Sequence, residues 1–216
     1  MTPTQVFVPI LEVILLAYLI GSIPTGYLIV KLFKKIDIRT VGSGSTGATN
    51  VKRVMGTKWF FIVMILDALK GLLAVWLASR YFNLIGDYGE LYNLTPAIAG
   101  IMVILGHSRS IFLKFTGGKS VATTIGALLA LCQPVGWIVL AIWIIITALT
   151  KYVSVGSMCA IASSAVLMTA FQQNKFFIYF AAIAAIYIIM RHGDNIKRLM
   201  KGEENKLTWE KSKESK

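Results

Sequence analysis

The sequence predicts an all-α integral membrane protein with seven transmembrane helices, some of them half-length. Hydrophobic residues make up 56% of its 216 positions, and the mean hydropathy is +0.69. The apolar runs are too many and too long for a soluble core, because about 20 apolar residues already span a bilayer as a helix. Of the 22 lysines and arginines, all but Lys70, Arg80 and Lys175 fall on one side of the predicted topology. That side is cytoplasmic by the positive-inside rule, which places the N-terminus outside and the C-terminus in the cytoplasm.

The first two spans are predicted over residues 6–30 and 59–79. The first lacks a basic leading segment and is interpreted as a retained span, with a kink expected at Pro24. The second contains Asp67 and Lys70 three positions apart, so that opposite charges share one helix face and can neutralise each other. Ionisable residues within a span are candidates for function. A purely structural ion pair remains an equal alternative.

The middle of the chain predicts two half-length helices that meet at a polar junction. After an expected outer loop at 80–93, the apolar run 94–105 has only 12 residues. A helix of that length covers about 18 Å, short of the roughly 30 Å hydrocarbon core. A second short run, 121–132, follows a glycine-rich polar stretch. Irregular backbone below the membrane surface requires surrounding protein or water, so we expect the functional site at this junction.

The remaining spans are predicted at 135–150, 152–170 and 176–190. We expect a single membrane domain over residues 1–204 and a disordered cytoplasmic tail at 205–216. The formal charge of +12 does not indicate nucleic-acid binding, because the cations follow the membrane topology. Cys132 and Cys159 lie in apolar segments without metal-ligand spacing, so neither a disulfide nor a zinc site is expected. No cofactor is expected.

A glycine-rich loop at residues 41–53 reads V-G-S-G-S-T-G-A-T-N-V-K-R. Glycine reaches backbone conformations that let successive N–H groups converge on one anion. The three glycines also match the dinucleotide pattern G-x-G-x-x-G, but that pattern requires a preceding strand, which the charged run at 34–39 does not provide. The alternative is a flexible polar loop between helices. The candidate phosphate ligands in this loop are Gly42, Ser43, Gly44, Ser45, Gly47, Thr49, Asn50 and Arg53.

A second candidate anion site comprises Gly117, Gly118 and Lys119. It is not a P-loop, because Leu113 stands where that motif requires glycine. A lysine directly after two glycines, at the start of a helix, is nevertheless well placed to hold a phosphate. The alternative is that Lys119 only marks the cytoplasmic end of a span.

His107 and His192 are the only histidines, and both are predicted at cytoplasmic helix ends. His192 is the stronger candidate because Asn195 follows it by about one helical turn. The sequence shows no Ser-His-Asp spacing and no metal-ligand cluster. The conspicuous groups are hydroxyls, amides, glycines and cations, which bind anions and stabilise developing charge but do not readily make a nucleophile.

Five motifs follow one another along the chain: G-S-I-P-T-G-Y at 21–27, G-S-G-S-T-G-A-T-N-V at 42–51, D-A-L-K-G at 67–71, G-H to G-G-K-S-V-A-T at 106–123 and H-G-D-N-I-K-R-L-M-K-G-E at 192–203. In this order they resemble the bacterial acyl-phosphate-dependent glycerol-3-phosphate acyltransferases, and together they cover nearly the whole chain. The resemblance implies a seven-helix enzyme of the bacterial inner membrane with its active site on the cytoplasmic side. Such an enzyme transfers a fatty acyl group from acyl phosphate to the sn-1 hydroxyl of glycerol 3-phosphate. The products are lysophosphatidic acid and phosphate, in the first step of phospholipid synthesis.

The resemblance also implies the site residues and partners. The loop at 42–50 and Arg53 would hold one phosphate, and the catalytic set of Lys119, Ser154, His192 and Asn195 would hold and orient the other substrate. The partners are then acyl phosphate, glycerol 3-phosphate and membrane lipid, with a monomer expected.

Two other functions are compatible with parts of the sequence. Broken helices with anion sites also suit an organic-phosphate transporter. The absence of an internal repeat and the one-sided cations argue against it. A non-catalytic membrane subunit would leave the many polar loop residues unexplained.

Overall fold

The computed structural model describes residues 3–85, 89 and 91–207. These residues form α-helices joined by loops and two short 3₁₀ turns, and no strand occurs among them, which confirms the all-α prediction. The helices are α1 Pro3–Ser22, α2 Thr25–Lys34, α3 Ala48–Met55, α4 Thr57–Ile85, α5 Leu91–Ser108, α6 Val121–Leu131, α7 Gln133–Thr150, α8 Val153–Ala170, α9 Lys175–Arg191 and α10 Gly193–Met200.

Four segments of the described chain are long and apolar enough to cross a membrane. They are Phe7–Lys34, Thr57–Tyr81, Gln133–Thr150 and Val153–Ala170. A fifth arises if α9 and α10, which meet at an angle of 56°, count as one broken span. Together with the many exposed large apolar side chains, these segments indicate a multi-pass membrane protein.

The predicted interruption of the first span is confirmed. The first span divides into α1 and α2 at Ile23 and Pro24, because proline has no N–H to continue the helical hydrogen bonds. After α2, Lys35 adopts a left-handed conformation with φ of 62° and turns the chain toward the glycine-rich loop.

The prediction of a half-length helix at 94–105 is wrong. Helix α5 has 18 residues, or about 27 Å, because its polar ends continue the helix. Ser108 shows how the helix accommodates a polar end, since its hydroxyl donates back to the carbonyl of Ile104 at 3.1 Å. The prediction of an outer loop at 80–93 is also wrong for residues 80–85 and 91–93, because these residues are helical. Residues 86–88 and 90 of that predicted loop lie outside the described residues. Helix α6, with 11 residues, is short as predicted.

Helix α6 packs closely along α4, and two glycines permit the approach. A Cβ at Gly126 would lie 1.8 Å from the carbonyl oxygen of Ala68, and one at Gly71 would lie 2.0 Å from that of Thr123. Small residues let helix backbones approach closely within a membrane, where packing drives helix association. The N-terminus of α6 is thereby held beside α4, where the cavity described below opens.

We expect Gly126→Ala to destabilise the protein, although alanine is the better helix former. The added methyl group forces α4 and α6 apart, and such overpacking costs about 1–3 kcal/mol. The measurement is the apparent midpoint of thermal unfolding in detergent. Gly193→Ala is the matched control, because a Cβ at that helical position meets nothing within 4 Å. Equal midpoints for the two variants would contradict the close packing of α4 on α6.

Candidate active site

The predicted functional motifs meet around one cavity of about 520 Å³. The glycine-rich loop, the N-terminus of α6, the start of α8 and the corner between α9 and α10 all contribute lining residues. Of the predicted site residues, ten line the cavity: Ser43, Ser45, Gly47, Thr49, Asn50, Arg53, Lys119, Ser154, His192 and Asn195. Gly42, Gly44, Gly117 and Gly118 do not. The two expected anion sites therefore belong to a single compartment.

Asn50 folds the glycine-rich loop. Its Oδ1 accepts from the backbone N–H of Ser43 at 2.9 Å, and its Nδ2 lies 2.9 Å from the carbonyl of Ser45 and 3.0 Å from that of Val41. A Cβ at Gly42, which has φ of +60°, would stand 2.2 Å from that Oδ1, so only glycine leaves room for the Asn50 amide. The structure thus gives Asn50 a role in loop conformation, and its expected contact with phosphate stays a prediction.

The loop leads directly into the N-terminus of α3. Gly47 precedes this helix, and the backbone N–H of Gly47 donates to the hydroxyl of Ser45 at 3.3 Å. The first N–H groups of a helix have no carbonyl partner within it and carry partial positive charge, which favours an anion there. Arg53 follows in α3 and lines the same cavity. This end of the cavity has the features of a phosphate site.

Gly117 and Gly118 pack the second loop against α5. The N–H of Gly118 donates to the carbonyl of His107 at 3.2 Å, and Arg191 Nη2 donates to the carbonyl of Gly118 at the same distance. A Cβ at either glycine would lie 2.2 Å from an atom of His107. These contacts account for two glycines in succession, and they place Lys119 at the cavity wall.

Lys119 donates a hydrogen bond to Asn195 Oδ1 across the cavity. Burial is the main cause that lowers the pKa of Lys119 to about 8, and the nearby cations Arg198 and Arg53 contribute to that shift. A half-buried ammonium group with cationic neighbours and a neutral amide partner is poised to gain an anionic ligand.

Glu204 is the site residue that the sequence analysis missed. Its carboxylate accepts from Ser154 Oγ at 2.8 Å, from Asn195 Nδ2 at 2.6 Å and from Arg198 Nε at 2.7 Å. Burial alone would raise the pKa of Glu204, but these three hydrogen bonds hold it below its usual value. A carboxylate can only accept, so Asn195 must direct its Nδ2 to Glu204 and its Oδ1 to Lys119. Glu204 therefore fixes the orientation of a predicted catalytic amide.

The segment after α10 returns to the cavity. Gly202, with φ of +71°, ends the helix, and the N–H of Leu207 donates to the carbonyl of Lys151 at 2.7 Å. The only signal in the sequence was the G-E-E run at 202–204, which begins within the last motif and ends one residue beyond it. The mixed charge that follows it suggested a tail instead. Residues 208–216 of that expected tail lie outside the described part of the chain, and its disorder stays a prediction.

His192 lies at the corner just beyond α9. Its Nδ1 is 2.7 Å from the carbonyl of Ile188, which can only accept, so Nδ1 carries the proton and Nε2 is the acceptor. Burial lowers the pKa of His192 to about 4, and Lys119 and Arg191 contribute to that shift. The ring is therefore neutral at pH 7 and a weak base. It can accept a hydrogen bond from a ligand hydroxyl.

An apolar groove continues the cavity between α4, α6 and α7. Phe60 of α4 and Trp143 of α7 stack with their ring centroids 6.5 Å apart. Further along, the wall is formed by Met64, Leu69, Ile125, Leu129, Trp137 and Leu140. A ligand with a phosphate head and a long apolar tail matches this division into polar and apolar halves.

The predicted Asp67–Lys70 ion pair is confirmed. Lys70 Nζ lies 3.0 Å from Asp67 Oδ1, and both side chains are buried. Asp67 and His107 also line the cavity, and His107 Nδ1 is 3.5 Å from the same carboxylate oxygen. Within the described ranges, 3–85, 89 and 91–207, no three His, Cys, Asp or Glu side chains are grouped to hold a metal ion.

Comparison with known proteins gives one consistent result. A family model described as glycerol-3-phosphate acyltransferase matches residues 11–202. A glycerol-3-phosphate acyltransferase of Trichormus variabilis is 44% identical over 208 residues, covering 90% of each chain. One of Prochlorococcus marinus is 46% identical over 198 residues, covering 90% of this chain and 96% of the relative.

The fold also matches a solved structure. The crystal structure of PlsY (YgiH), an integral membrane glycerol 3-phosphate acyltransferase in its glycerol 3-phosphate form, superposes with a TM-score of 0.84. The two chains are 34% identical, and the match covers 92% of this chain and 96% of the other. A second structure of that protein, in a lysophosphatidic acid form, superposes with a TM-score of 0.82 at 32% identity, covering 93% and 96%.

Proposed function

The chain belongs to the glycerol-3-phosphate acyltransferase family, and on that premise we propose that it transfers a fatty acyl group from acyl phosphate to the sn-1 hydroxyl of glycerol 3-phosphate. The products are lysophosphatidic acid and inorganic phosphate. The observation that carries the proposal is the single cavity in which a cluster of cations, hydroxyls and amides adjoins an apolar groove. Both substrates bear phosphate, and one bears an acyl chain.

The reaction needs no nucleophile from the protein. The sn-1 oxygen attacks the carbonyl carbon of the acyl phosphate, the bond from that carbon to the phosphate oxygen breaks, and phosphate leaves. The proton of the hydroxyl passes to a phosphoryl oxygen, directly or through water. Phosphate monoanions ionise near pH ~6, so an ionised phosphoryl oxygen of the acyl phosphate can accept the proton at neutral pH as phosphate leaves. The chain then contributes positioning and charge stabilisation.

The roles within the cavity follow from two anion sites and the apolar groove that adjoins them. The glycine-rich loop, the N-terminus of α3 and Arg53 hold one phosphate. Lys119, Ser154, His192 and Asn195 hold and orient the other substrate, with His192 Nε2 accepting a hydrogen bond from a glycerol hydroxyl. The acyl chain lies in the apolar groove, which places its carbonyl carbon between the two anion sites.

The proposed topology has seven crossings of the bacterial inner membrane, in a monomer with a single domain over residues 1–204. The N-terminus is outside, and both the C-terminus and the cavity are cytoplasmic. The gathering of the three polar motifs at one cavity supports this arrangement, because glycerol 3-phosphate is supplied from the cytosol. The strong bias of lysine and arginine toward the same loops also supports it.

Catalysis in detergent separates an enzyme from an organic-phosphate transporter. Purified protein without a membrane compartment, given glycerol 3-phosphate and an acyl phosphate, should form lysophosphatidic acid and phosphate in equal amounts. A transporter or a non-catalytic subunit forms neither.

Donor selectivity follows from the anion sites. We expect acyl phosphate to be used and acyl-CoA or acyl carrier protein to give no comparable turnover. No cysteine lines the cavity, and Ser154 donates to Glu204 while His192 Nδ1 contacts the carbonyl of Ile188, so these residues are not linked as a triad that would accept a thioester acyl group. The measurement is the initial rate with each donor at a matched chain length, in protein free of other acyltransferases. Equal rates with a thioester donor would refute this part of the proposal.

The pH dependence should follow Lys119. Its ammonium form binds phosphate, and because its pKa is about 8 the charge is lost as the pH rises through that value. The value of kcat/KM reports the ionisation of the free enzyme, so it should fall above about pH 8. Lys119→Arg keeps the charge, and its residual activity should not show the alkaline decline. An unchanged decline in that variant would assign it to another group.

A further inference from the structure

We infer that the buried Asp67–Lys70 pair is a positioning device that holds the break between α1 and α2 and thereby sets the position of the glycine-rich loop. The inference rests on the proposed function for what that loop binds. The two residues are only 2% and 7% exposed, within the apolar segment Thr57–Tyr81. Charges at such depth are costly and are retained in pairs that face the protein interior.

Each member of the pair contacts one side of the helix break. Lys70 Nζ donates to the carbonyl oxygen of Ile23 at 3.0 Å. The hydroxyl of Thr25 donates to Asp67 Oδ1 at 2.5 Å. Ile23 and Thr25 flank Pro24, where the helix is interrupted. Neutralising the two charges would require only their mutual contact, so these two further hydrogen bonds point to a role at the break.

Helix α2 transmits the position of the break to the loop. A Cβ at Gly26 would lie 2.0 Å from the carbonyl oxygen of Thr46, so the backbones of α2 and the loop are in direct contact. One turn further, Val30 is fully buried in a cluster with Ile38, which precedes the loop, and Val51 of α3, which follows its glycines. Because the contacts are tight and buried, a displaced α2 must displace the loop with it.

The same carboxylate adjoins the second loop. His107 Nδ1 is 3.5 Å from Asp67 Oδ1, and the His107 carbonyl accepts from the N–H of Gly118, which precedes Lys119. One buried cluster therefore adjoins the backbone that supports both anion sites, the glycine-rich loop and the loop that precedes Lys119. Since Asp67 also lines the cavity, a direct part in the chemistry is the rival role that the test must separate.

Thr25→Val tests the positioning role without changing any buried charge. We expect the KM for one of the two substrates to rise about tenfold with little change in kcat, the lower end of the range for losing a hydrogen bond to a charged group. Hydrogen–deuterium exchange in residues 41–47 should become faster. Thr25→Ser restores the hydroxyl and should restore both properties. Thr169→Val is the matched control, because that hydroxyl donates only within its own helix, to Ala165.

The double variant Asp67→Asn/Lys70→Met separates positioning from stability. Removing both charges avoids leaving one unpaired, so thermal stability should stay close to that of the wild type. The KM should nevertheless remain raised about tenfold or more, because the contacts with Ile23 and Thr25 are lost or weakened. Recovery of wild-type KM together with stability would make the pair structural only. Loss of kcat at normal KM in Asp67→Asn would instead assign Asp67 to the chemistry, and either result overturns the inference.

Failure of the inference and failure of the proposed function give different results. If the wild type forms no lysophosphatidic acid, the proposed function is wrong, and hydrogen exchange in Thr25→Val still tests the coupling of the break to the loop. If the wild type is active and Thr25→Val matches it in both KM and exchange, only the inference is wrong.

Discussion

Lys119→Ala should lower kcat/KM by at least about 30-fold. Lys119 lines the cavity and is partly shielded from water, so water does not fully replace it as a partner of the phosphate. Truncating one partner of a buried charge pair costs about 2–5 kcal/mol, and each 1.36 kcal/mol corresponds to a tenfold change in rate. The measurement is the steady-state rate with each substrate varied in turn.

Two further variants test whether the effect depends on the position of the positive charge and on the shape of the cationic group. Lys119→Arg should rescue poorly, because the planar guanidinium differs from the ammonium group in reach and geometry. Lys114→Ala removes a positive charge from the same connection at an exposed position that does not line the cavity, and should remain close to wild type. A near-normal kcat/KM in Lys119→Ala for both substrates would show that the second anion site is misplaced.

His192 should prove to be a positioning group, with a conservative amide retaining activity. Either His192→Asn or His192→Gln keeps a hydrogen-bonding group but cannot act as a base near neutrality. We expect one of them to retain at least about 1% of wild-type kcat, a loss that lies at the lower end of the ~10²–10⁴-fold usual for general acid–base catalysis. The structure supports this, because burial lowers the pKa of His192 to about 4 and makes it a weaker base than the phosphate dianion.

Binding measurements complete the test of His192. Glycerol 3-phosphate affinity is measured for each variant alongside turnover, so that lost binding is not mistaken for lost chemistry. If both amide variants bind glycerol 3-phosphate normally and show no measurable turnover, His192 is the base and the substrate phosphate is not.

Local patterns in the sequence predicted most of the fold. Pro24 removes a hydrogen-bond donor, so its break could be located from sequence. The apolar runs gave α6 through α9 to within a few residues. The lengths of α4 and α5 could not be found in the same way, because polar residues such as Tyr92, Asn93 and Ser108 continue a helix whose end an apolar run does not mark. Hydropathy locates the apolar part of a segment, whereas the backbone hydrogen bonds of the helix continue into the polar residues beyond it.

The sequence predicted which residues line the site better than it predicted what each of those residues contacts. Residue types and motifs identified Lys119, His192 and Asn195, which the fold brings to one cavity. The contacts of Asn50 within its loop depend on backbone conformations that composition does not specify. Glu204 was missed because its role depends on a turn at Gly202 that returns the chain to Asn195.

The central claim is direct transfer between two substrates held together in one cavity, and two-substrate initial-rate kinetics test it most directly. Rates are measured over a grid of glycerol 3-phosphate and acyl phosphate concentrations, together with a search for acyl label on the protein when acyl phosphate is supplied alone. Direct transfer requires both substrates to be bound at once, so double-reciprocal plots should intersect and the protein should carry no covalent acyl group. Parallel plots with a labelled acyl-enzyme would show a ping-pong mechanism through a protein nucleophile and would contradict the account.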